Sequence, residues 1–493
     1  MRWTLCVPAP FALALGLTGC LGDPHVACTS DTQCRDGFGF GQVCLEEGEA
    51  AGYCGTSALP ARCTSSIDGL PDVMASPLEF SGGIVLASVH DHNWDVAELQ
   101  SVRLAVLEAH ENGGVDGFPI GLIECTYGPD AIYDDLDENG AAAELGAFLT
   151  GRLGIQGYIG PYTSGQSTAL FNELSTVGGA FVISPSATSP SLTNIDGVTK
   201  TDETPGTFWR TAAPDSFQGQ VAAEDMIARD RTKVAVIYYN DPYGNGLELA
   251  FRARFGEESG NEVVSLQYSD HSELASHVAT VASDATIQEV FMISGETADI
   301  ATFLNAAGNV TGFDDLISDP YPLTGKGIFL SDAAKDTDML NAVTDGDVLL
   351  EQVRGSAPAA PDPTDVEYNT FKAAYSARYA QDPEATIYMP YSYDAGWLAL
   401  YAATWSVTQD GVLAAESMGR GMRKVSAGDA VRLLPGDWNT GRARFSAGQS
   451  IDVKGTSGPL EFDPVTEETA TAVDIWEITE SGDDFEVVGT FEP

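Results

Sequence analysis

Residues 83–125 read GIVLASVHDHNWDVAELQSVRLAVLEAHENGGVDGFPIGLIEC, and this pattern predicts a strand, a helix and a second strand. The run Gly83–Val89 is almost entirely apolar, as in a strand that is buried on both faces. Apolar side chains then recur at helical spacing, at Val96, Leu99, Val102 and Val106. The run Ile120–Cys125 is apolar again. Parallel neighbouring strands need a crossover helix of this kind, so the stretch is typical of an α/β fold.

The same alternation of strand and helix occurs in two series along the chain. The first series continues with strands at 158–160 and 181–184. The second series has predicted strands at 234–239, 262–267, 290–294, 328–331 and 348–353, with helices at 247–255 and 297–307. Two helices at 364–381 and 391–405 follow, and then short predicted strands at 443–445, 458–462, 473–478 and 485–488. Two series predict two doubly wound α/β lobes, each built on a parallel sheet.

The composition excludes some classes of partner. The 493 residues include 24 Lys or Arg and 72 Asp or Glu, which gives a net charge of −48, and 43% are hydrophobic. Such a chain can bury large cores, so it is globular rather than disordered. Binding to nucleic acid needs cations that neutralise phosphates, and binding to anionic lipid needs a polybasic patch. We therefore expect no nucleic-acid partner and no electrostatic attachment to membranes.

The sequence contains no motif that requires an enzyme. A phosphate loop, a G-x-S-x-G elbow and an H-E-x-x-H pair are all missing from it. His90-Asp91-His92 follows a predicted strand, but the sequence suggests no third ligand to complete a metal site. We predict no catalytic residues, no metal and no cofactor. A hydrolase on a doubly wound core is the alternative class, and it would need a nucleophile beside a base.

The N-terminus has the pattern of an export signal. Arg2 precedes an apolar stretch that ends in Leu17-Thr18-Gly19-Cys20, over residues 1–20. This ending resembles the lipobox of bacterial lipoproteins, in which the cysteine is acylated and becomes the first mature residue. The resemblance implies lipidation of Cys20, and an ordinary secretory signal is the alternative. Leu21 follows Cys20, and in the enterobacterial sorting pattern this points to the outer membrane.

Six further cysteines indicate disulfides in an exported chain. Four of them lie in a Gly- and acid-rich segment without apolar periodicity: Cys28, Cys34, Cys44 and Cys54. Such a segment cannot build a core, so we predict a stalk and linker over 21–77 that two bridges hold together, with the pairing left open. Cys63 and Cys125 remain to pair with each other. A zinc knuckle is the alternative, but the spacings contain no C-x-x-C pair.

Six groups of residues resemble the leucine/isoleucine/valine-binding type of periplasmic binding protein, the receptors of branched-chain amino-acid ABC transporters. They occur in family order at Tyr158-Ile159-Gly160-Pro161, Ile183–Thr193, Phe208–Thr211 with Pro214–Gly219, Lys233–Gly244, Tyr393-Asp394-Ala395 and Gly458–Asp463. The resemblance covers about residues 80 to 493. It implies a two-lobe flytrap with three crossovers between the lobes and a ligand in the cleft.

This resemblance also implies how the chain is divided and what it does. Lobe one would comprise 78–213 and 356–455, and lobe two 214–355 and 456–493. The expected function is capture of a small amino-acid-like ligand outside the cytoplasm, for an ABC importer in the inner membrane. A sensory receptor that is not coupled to transport is the alternative, because the same fold serves both roles.

The binding residues in lobe one are predicted at two turns that each follow a strand. Hydroxyls and backbone N–H groups at a helix N-terminus can hold a carboxylate without a formal positive charge. By similarity, Ser164 and Thr188 would hold the ligand carboxylate, and the Ser186 carbonyl would face its ammonium. Ala187, between Ser186 and Thr188, is also predicted to contact the ligand. Alternatively, Ser164 and Thr188 only cap helices.

In lobe two, Asp332 follows the strand 328–331, where the family has an acidic residue that binds the ammonium group. Glu296 follows another strand, where branched-chain-binding proteins tend to have an aromatic residue. Two carboxylates in one cleft repel each other unless the ligand brings positive charge or one of them takes up a proton, and on this basis we predict a polar or cationic ligand. Trp94 and Tyr162 are candidate walls of the cleft, whereas Tyr391 and Tyr393 fit core packing better.

Overall fold

The strands of a computed structural model of the chain form two large sheets. The structure describes residues 26–48, 50–115, 117–129, 136–313, 326–344, 353–479, 482 and 484–493. In chain order the strands are β1 (Gln42–Cys44), β2 (Cys54–Thr56), β3 (Cys63–Thr64), β4 (Ile84–His90), β5 (Ile120–Thr126), β6 (Gly157–Ile159), β7 (Phe181–Ser184), β8 (Phe208–Arg210), β9 (Lys233–Tyr239), β10 (Glu262–Tyr268), β11 (Glu289–Ile293), β12 (Gly327–Leu330), β13 (Val353–Pro358), β14 (Asp429–Arg432), β15 (Ile451–Lys454), β16 (Val473–Ile478) and β17 (Phe485–Phe491).

The α-helices cover the faces of these sheets. In chain order they are α1 (Asp31–Phe38), α2 (Val96–Glu111), α3 (Glu138–Gly146), α4 (Ser164–Thr176), α5 (Asp215–Ala228), α6 (Pro242–Phe255), α7 (Leu274–Ser283), α8 (Thr297–Gly308), α9 (Thr337–Ala342), α10 (Val366–Tyr379), α11 (Met389–Trp405), α12 (Ala415–Met422) and α13 (Pro435–Ser446). The helices α3 and α11 continue into π-helical segments at Ala147–Leu153 and Ser406–Asp410. No described helix is both long and apolar enough to cross a membrane.

Lobe one is built on the sheet with strand order β3-β5-β4-β6-β7-β8. The strands from β5 to β8 pair in parallel, and only β3 is antiparallel to its neighbour. Apolar residues of α2 and α10–α13 pack on one face of this sheet, and those of α3 and α4 pack on the other. Parallel strands with helices on both faces confirm the predicted doubly wound lobe.

Lobe two is built on the sheet with strand order β10-β9-β11-β12-β13-β16-β17. The first five strands pair in parallel, and β16 and β17 close one edge as antiparallel strands. Apolar residues of α5 and α6 pack on one face of the sheet, and those of α7–α9 on the other. The two-lobe α/β fold is therefore confirmed.

The chain passes between the lobes after β8, after β13 and before β16. The third passage keeps contact with lobe one for longer than predicted. Leu460 belongs to the apolar core of lobe one, and Glu468 forms an ion pair with Arg210 at the end of β8. We propose that lobe one extends to about residue 470, instead of ending at 455. The other predicted boundaries stay predictions.

The cysteine-rich segment is joined by disulfides and lies against lobe one. Cys28 pairs with Cys44 and Cys34 with Cys54, and Cys63 pairs with Cys125 of β5. Since these cysteines are oxidised, they do not form the zinc knuckle that was the alternative. Val43 of β1 is 1% exposed because it packs into the core of lobe one. The segment therefore packs its apolar residues into the core of lobe one, whereas a stalk would project away from the lobe.

Two of the predicted C-terminal strands are wrong. Residues 443–445 lie in α13, where Pro435 begins the helix and Trp438, Gly441 and Phe445 are buried on one face. This i, i+3, i+7 spacing is helical, and a three-residue window is too short to reveal it. Residues 458–462 form only an isolated bridge, between Lys454 and Pro459. The predicted strand at 348–353 falls mostly outside the described residues, as do the signal segment 1–20 and Cys20.

Candidate functional site

A cleft of about 700 Å³ lies between the two lobes. Seven of the predicted binding residues line it, namely Trp94, Tyr162, Ser164, Ser186, Thr188, Glu296 and Asp332. Ala187 is fully buried behind the cleft wall, where its carbonyl accepts a hydrogen bond from Arg210. Tyr391 and Tyr393 are buried in α11, and neither belongs to the lining. The fold therefore brings together residues that are up to 238 positions apart in sequence.

The two turns of lobe one are bound to each other. The Ser164 hydroxyl accepts a hydrogen bond from the backbone N–H of Ser189, at 3.1 Å. The Ser186 hydroxyl donates to the carbonyl of Tyr162, at 2.6 Å. Neither Ser164 nor Thr188 caps a helix, since Thr163 caps α4 and Ser189 caps the short 3-10 turn after it. The capping residues are therefore their neighbours Thr163 and Ser189. Ser164 and Thr188 themselves both line the cleft.

Asp332 begins a short 3-10 turn after β12 and is 4% exposed. Its carboxylate accepts hydrogen bonds from the Tyr243 hydroxyl, from Gln218 Nε2 at 3.0 Å and from the Tyr388 hydroxyl at 2.6 Å. These three donors are neutral, so they orient the carboxylate but do not cancel its charge. The arrangement suits a cation that enters from the cleft.

Asp215 lies behind Asp332, at the first position of α5, and is 1% exposed. Neither of its side-chain oxygens has a hydrogen-bond partner among the described residues. Burial and the neighbouring charge of Asp332 raise the pKa of Asp215 well above its usual range. The negative charges of Asp215 and Asp332 therefore act on each other at the lobe-two side of the cleft.

Glu138 of lobe one and Glu296 of lobe two repel each other across the cleft. Glu138 accepts a hydrogen bond from Gln166 Nε2 at 2.9 Å, yet burial, Glu296 and Asp91 raise its pKa to about 7. Burial and Asp299 raise the pKa of Glu296. Closing the lobes without a cation therefore costs electrostatic free energy.

Acidic residues dominate the lining of the cleft. Nine of the described lining residues are acidic: Asp91, Asp95, Glu98, Asp137, Glu138, Asp241, Glu296, Asp332 and Asp336. The basic residues of the described lining are Lys335 and His271. His271 contacts Asp299, and the charge of Asp474 acts on Lys335. An excess of negative charge in a partly enclosed cleft attracts cations.

Sequence reasoning missed several of these residues. Glu98 and Asp95 lie on or beside a predicted amphipathic helix, where acids usually face solvent. Glu98 is buried because Thr386, 288 positions later, folds over it. Tyr243 and Tyr388 carry no local signal of their role either, because their hydroxyls meet Asp332 only in the assembled lobes. Trp94 lies in the lining but is 66% exposed, so its ring is accessible.

Several solved structures share this architecture. A leucine-binding protein from Thermotoga maritima is 17% identical, with a TM-score of 0.60 over 83% of this chain and 99% of that one. A branched-chain amino-acid transporter substrate-binding protein from Streptococcus pneumoniae, solved with isoleucine, is 16% identical. Its TM-score is 0.60, over 83% of this chain and 99% of that one. An ABC-transporter solute-binding protein from R. palustris, solved with 4-hydroxybenzoate, is 15% identical. Its TM-score is 0.61, over 83% of this chain and 97% of that one. No curated protein sequence matches the chain.

The family follows from the sequence profile that the chain matches. Residues 98–481 match the profile of the receptor family ligand binding region. The match begins in α2 and ends after β16, so it includes most of both lobes and the cleft between them. The solved structures confirm the two-lobe fold of type I periplasmic binding proteins that the sequence resemblance implied. The protein therefore belongs to the family that is described as the receptor family ligand binding region.

Proposed function

We propose that this protein captures a small polar or cationic amino-acid-like molecule in the interlobe cleft and releases it unchanged. The observation that carries the proposal is Asp332, a buried carboxylate at the cleft that three neutral donors hold in place. The family also supports it, because its fold is that of ligand-binding regions. Neighbouring structures are named for leucine, isoleucine and 4-hydroxybenzoate, which are all small organic ligands.

In this proposal each wall of the cleft binds one part of the ligand. The hydroxyls of Ser164 and Thr188 hold the carboxylate, and Asp332 with the Ser186 carbonyl holds the ammonium. Trp94 and Tyr162 bound the remainder of the molecule. Glu296 adds negative charge where an aliphatic side chain would gain nothing from it. The acidic lining therefore favours polar or basic ligands over leucine.

Binding would be coupled to closure of the lobes. The Ser189 hydroxyl of lobe one donates to the Pro242 carbonyl of lobe two at 2.6 Å. Gly246 of α6 lies beside this contact, and a Cβ added there would meet Pro190 Cδ and Ser189 Oγ at 2.8 Å. A ligand that contacts both lobes stabilises the closed form by its differential affinity. No chemical step is required.

We also propose that the chain is exported and that lipidation of Cys20 attaches it to a membrane. An ABC permease of the inner membrane would then receive the ligand. The support is the lipobox-like ending at Cys20, the disulfides that an oxidising compartment permits, and the transport names of the neighbouring structures. Metabolic labelling with a radioactive fatty acid tests the anchor, and a Cys20→Ser variant should lose the label.

The ligand is tested by isothermal titration with leucine, glutamine, lysine and arginine. We expect at least one polar or basic amino acid to bind, and Asp332→Asn to weaken it by about 10- to 100-fold, because a charge-assisted hydrogen bond is lost. Glu486→Gln, an exposed acid on β17, is the matched control and should bind as the parent does. Tight binding of leucine without any polar or basic ligand would contradict the proposal.

Closure is tested with Gly246→Leu. The added side chain would separate the lobes, so we expect at least tenfold weaker binding and an unchanged melting temperature of the ligand-free protein. Binding at full strength would mean that the ligand does not need the lobes to close.

A further inference from the structure

Glu98 is a buried carboxylate with one unsatisfied oxygen at the cleft. The residue lies in the first turn of α2 and is 7% exposed. Its Oε1 accepts a hydrogen bond from the Thr386 hydroxyl. Its Oε2 is buried and has no hydrogen-bond partner in the part of the chain that the structure describes. A buried charge without a partner is costly, so such an oxygen indicates a missing partner.

Two further polar residues of the cleft lining, Asp95 and Tyr162, lie close enough to Glu98 for its charge to act on them. Asp95 precedes Glu98 by three positions, on the same side of α2, and both line the cleft. One Asp95 oxygen accepts from the Asp91 N–H at 2.7 Å and from the Tyr127 hydroxyl at 3.0 Å. The Tyr162 hydroxyl is buried, in a residue that is 3% exposed, and the Ser392 hydroxyl lies beside it. The charges of Asp95 and Glu98 both act on the Tyr162 hydroxyl.

Two basic residues lie near these acids. Arg103, one and a half turns further along α2, binds both oxygens of Glu124 at 2.5 Å. Lys335 lines the cleft, and burial lowers the pKa of its ammonium, which the charge of Asp474 partly offsets. Asp336 adds another negative charge near Glu98. Burial raises the pKa of Glu98, and burial together with Glu98 raises the pKa of Asp95 well above its usual range.

One short segment connects this group of residues with Asp332. Thr386 donates to Glu98, and Tyr388, two residues later, donates to Asp332. Glu98 of lobe one and Asp332 of lobe two therefore contact neighbouring residues of one segment, and both line the same cleft of about 700 Å³. A small molecule bound in this cleft can meet both carboxylates.

We propose that Glu98, Asp95 and Tyr162 form a second cation subsite, so that the cleft takes a small molecule with two ammonium groups. This inference rests on the proposed function, in which Asp332 holds the first ammonium. The second ammonium binds Glu98 Oε2 and Asp95, and the Tyr162 oxygen accepts one of its hydrogens. A dibasic amino acid and an aliphatic diamine share this chemistry, and only the former has a carboxylate for Ser164 and Thr188.

The test compares ligands that differ in one group. Ornithine and lysine are titrated against norvaline and norleucine, which lack only the terminal amine, and putrescine and cadaverine lack only the carboxylate. We expect a dibasic amino acid to bind at least tenfold more tightly than its aliphatic analogue. Equal binding of the matching diamine would assign the natural ligand to the diamines, and much weaker binding would assign it to the dibasic amino acids.

Variants locate the effect. Glu98→Gln keeps the acceptor for Thr386 but removes the charge, so the preference for the second ammonium should disappear while norleucine binds within about twofold of the parent. Glu486→Gln, which removes an exposed acid of β17, is the control for the lost charge, and it should keep the preference. A melting temperature within about 2 °C of the parent excludes misfolding.

Two outcomes overturn the inference. If no dication binds more tightly than its aliphatic analogue, or if Glu98→Gln weakens lysine and norleucine equally, the second subsite is wrong. Glutamine or norleucine binding that Asp332→Asn abolishes would leave the proposed function standing in that case. If none of these ligands and no other amino acid binds, the proposed function itself fails.

Discussion

Two regions of this molecule differ in whether their acidic residues are paired with basic residues. Beside the third passage between the lobes, the Arg210 cluster (Lys200, Arg210, Arg423, Glu467 and Glu468) pairs each buried acid with a cation. Arg210 binds Glu468 at 2.6 Å, and Arg423 binds Glu467 at 2.6 Å. In the cleft, nine acids face two basic residues within the described lining. A chain with 24 basic residues against 72 acidic ones thus holds its structure with paired acids and leaves the cleft acids to a ligand.

The largest expected effect comes from breaking the paired region. Arg210 is 1% exposed and also donates to the carbonyls of Ala187 and Ser189, at 2.9 and 2.8 Å. Arg210→Gln leaves Glu468 without its cation, so we expect the free energy of unfolding to fall by about 3–5 kcal/mol. Urea unfolding measures it. A loss below about 1 kcal/mol would mean that the cluster is not structural.

The cleft should respond in the opposite direction when it is given a cation. Glu138→Lys places an ammonium opposite Glu296 and removes one repelling charge. We expect the ligand-free protein to gain about 1 kcal/mol, because an ion pair forms and like charges separate. Cationic ligands should bind at least tenfold more weakly, since the lysine occupies their place. Differential scanning calorimetry and titration measure both, and Glu486→Lys on β17 is the control for net charge.

The pH dependence of stability tests the same difference between the paired acids and the cleft acids. Burial, Glu296 and Asp91 raise the pKa of Glu138 to about 7, so the folded protein binds a proton that the unfolded chain has released. This group therefore stabilises the fold at low pH, and its contribution is lost as the pH rises from about 4.5 to 7. Because Glu138 is half-buried, screening keeps its share below about 1 kcal/mol. Glu138→Gln should flatten the fall in melting temperature between pH 5 and 8.

Proton release on ligand binding is a further test of whether the cleft acids lack a basic partner in the ligand-free protein. A cation in the cleft favours the ionised acids, so titration of lysine at pH 7 should release protons, and affinity should rise with pH. Titrations in two buffers of different ionisation enthalpy measure this release. Glu98→Gln should reduce it. Unchanged proton release in that variant would separate Glu98 from the binding event.

The smallest effect is expected at an exposed ion pair. Arg432 and Asp437 pair at 2.7 Å, and their side chains are 46% and 27% exposed. Arg432→Gln should cost only about 0.2–1 kcal/mol, as is usual for exposed pairs. The difference from Arg210→Gln then measures what burial adds to pairing.

The fold and part of the site could be predicted from sequence because their signals are local. The apolar strand at 84–90 and the spacing of Val102 and Val106 lie within a few residues of each other. The pairing of Cys63 with Cys125 followed from elimination, and it is confirmed. The position of Asp332 at the cleft followed from the strand before it together with the family resemblance.

What sequence could not supply depends on contacts between distant segments. Glu98 differs from the other acids of the chain only because Thr386 covers it, and Arg210 reaches Glu468 across 258 positions. The docking of Val43 into lobe one likewise has no local pattern. Which acids are paired and which are not is thus a property of the assembled lobes.

The docked cysteine-rich segment has a mechanical consequence. Arg35 donates to the backbone of residues 151 and 152, Arg152 donates back to the Cys44 carbonyl at 3.2 Å, and the Cys63–Cys125 bridge ties the segment to β5. If the proposed anchor at Cys20 holds the chain ahead of Val26, any pull from it acts on lobe one. Lobe two is then the half that moves when the cleft opens and closes.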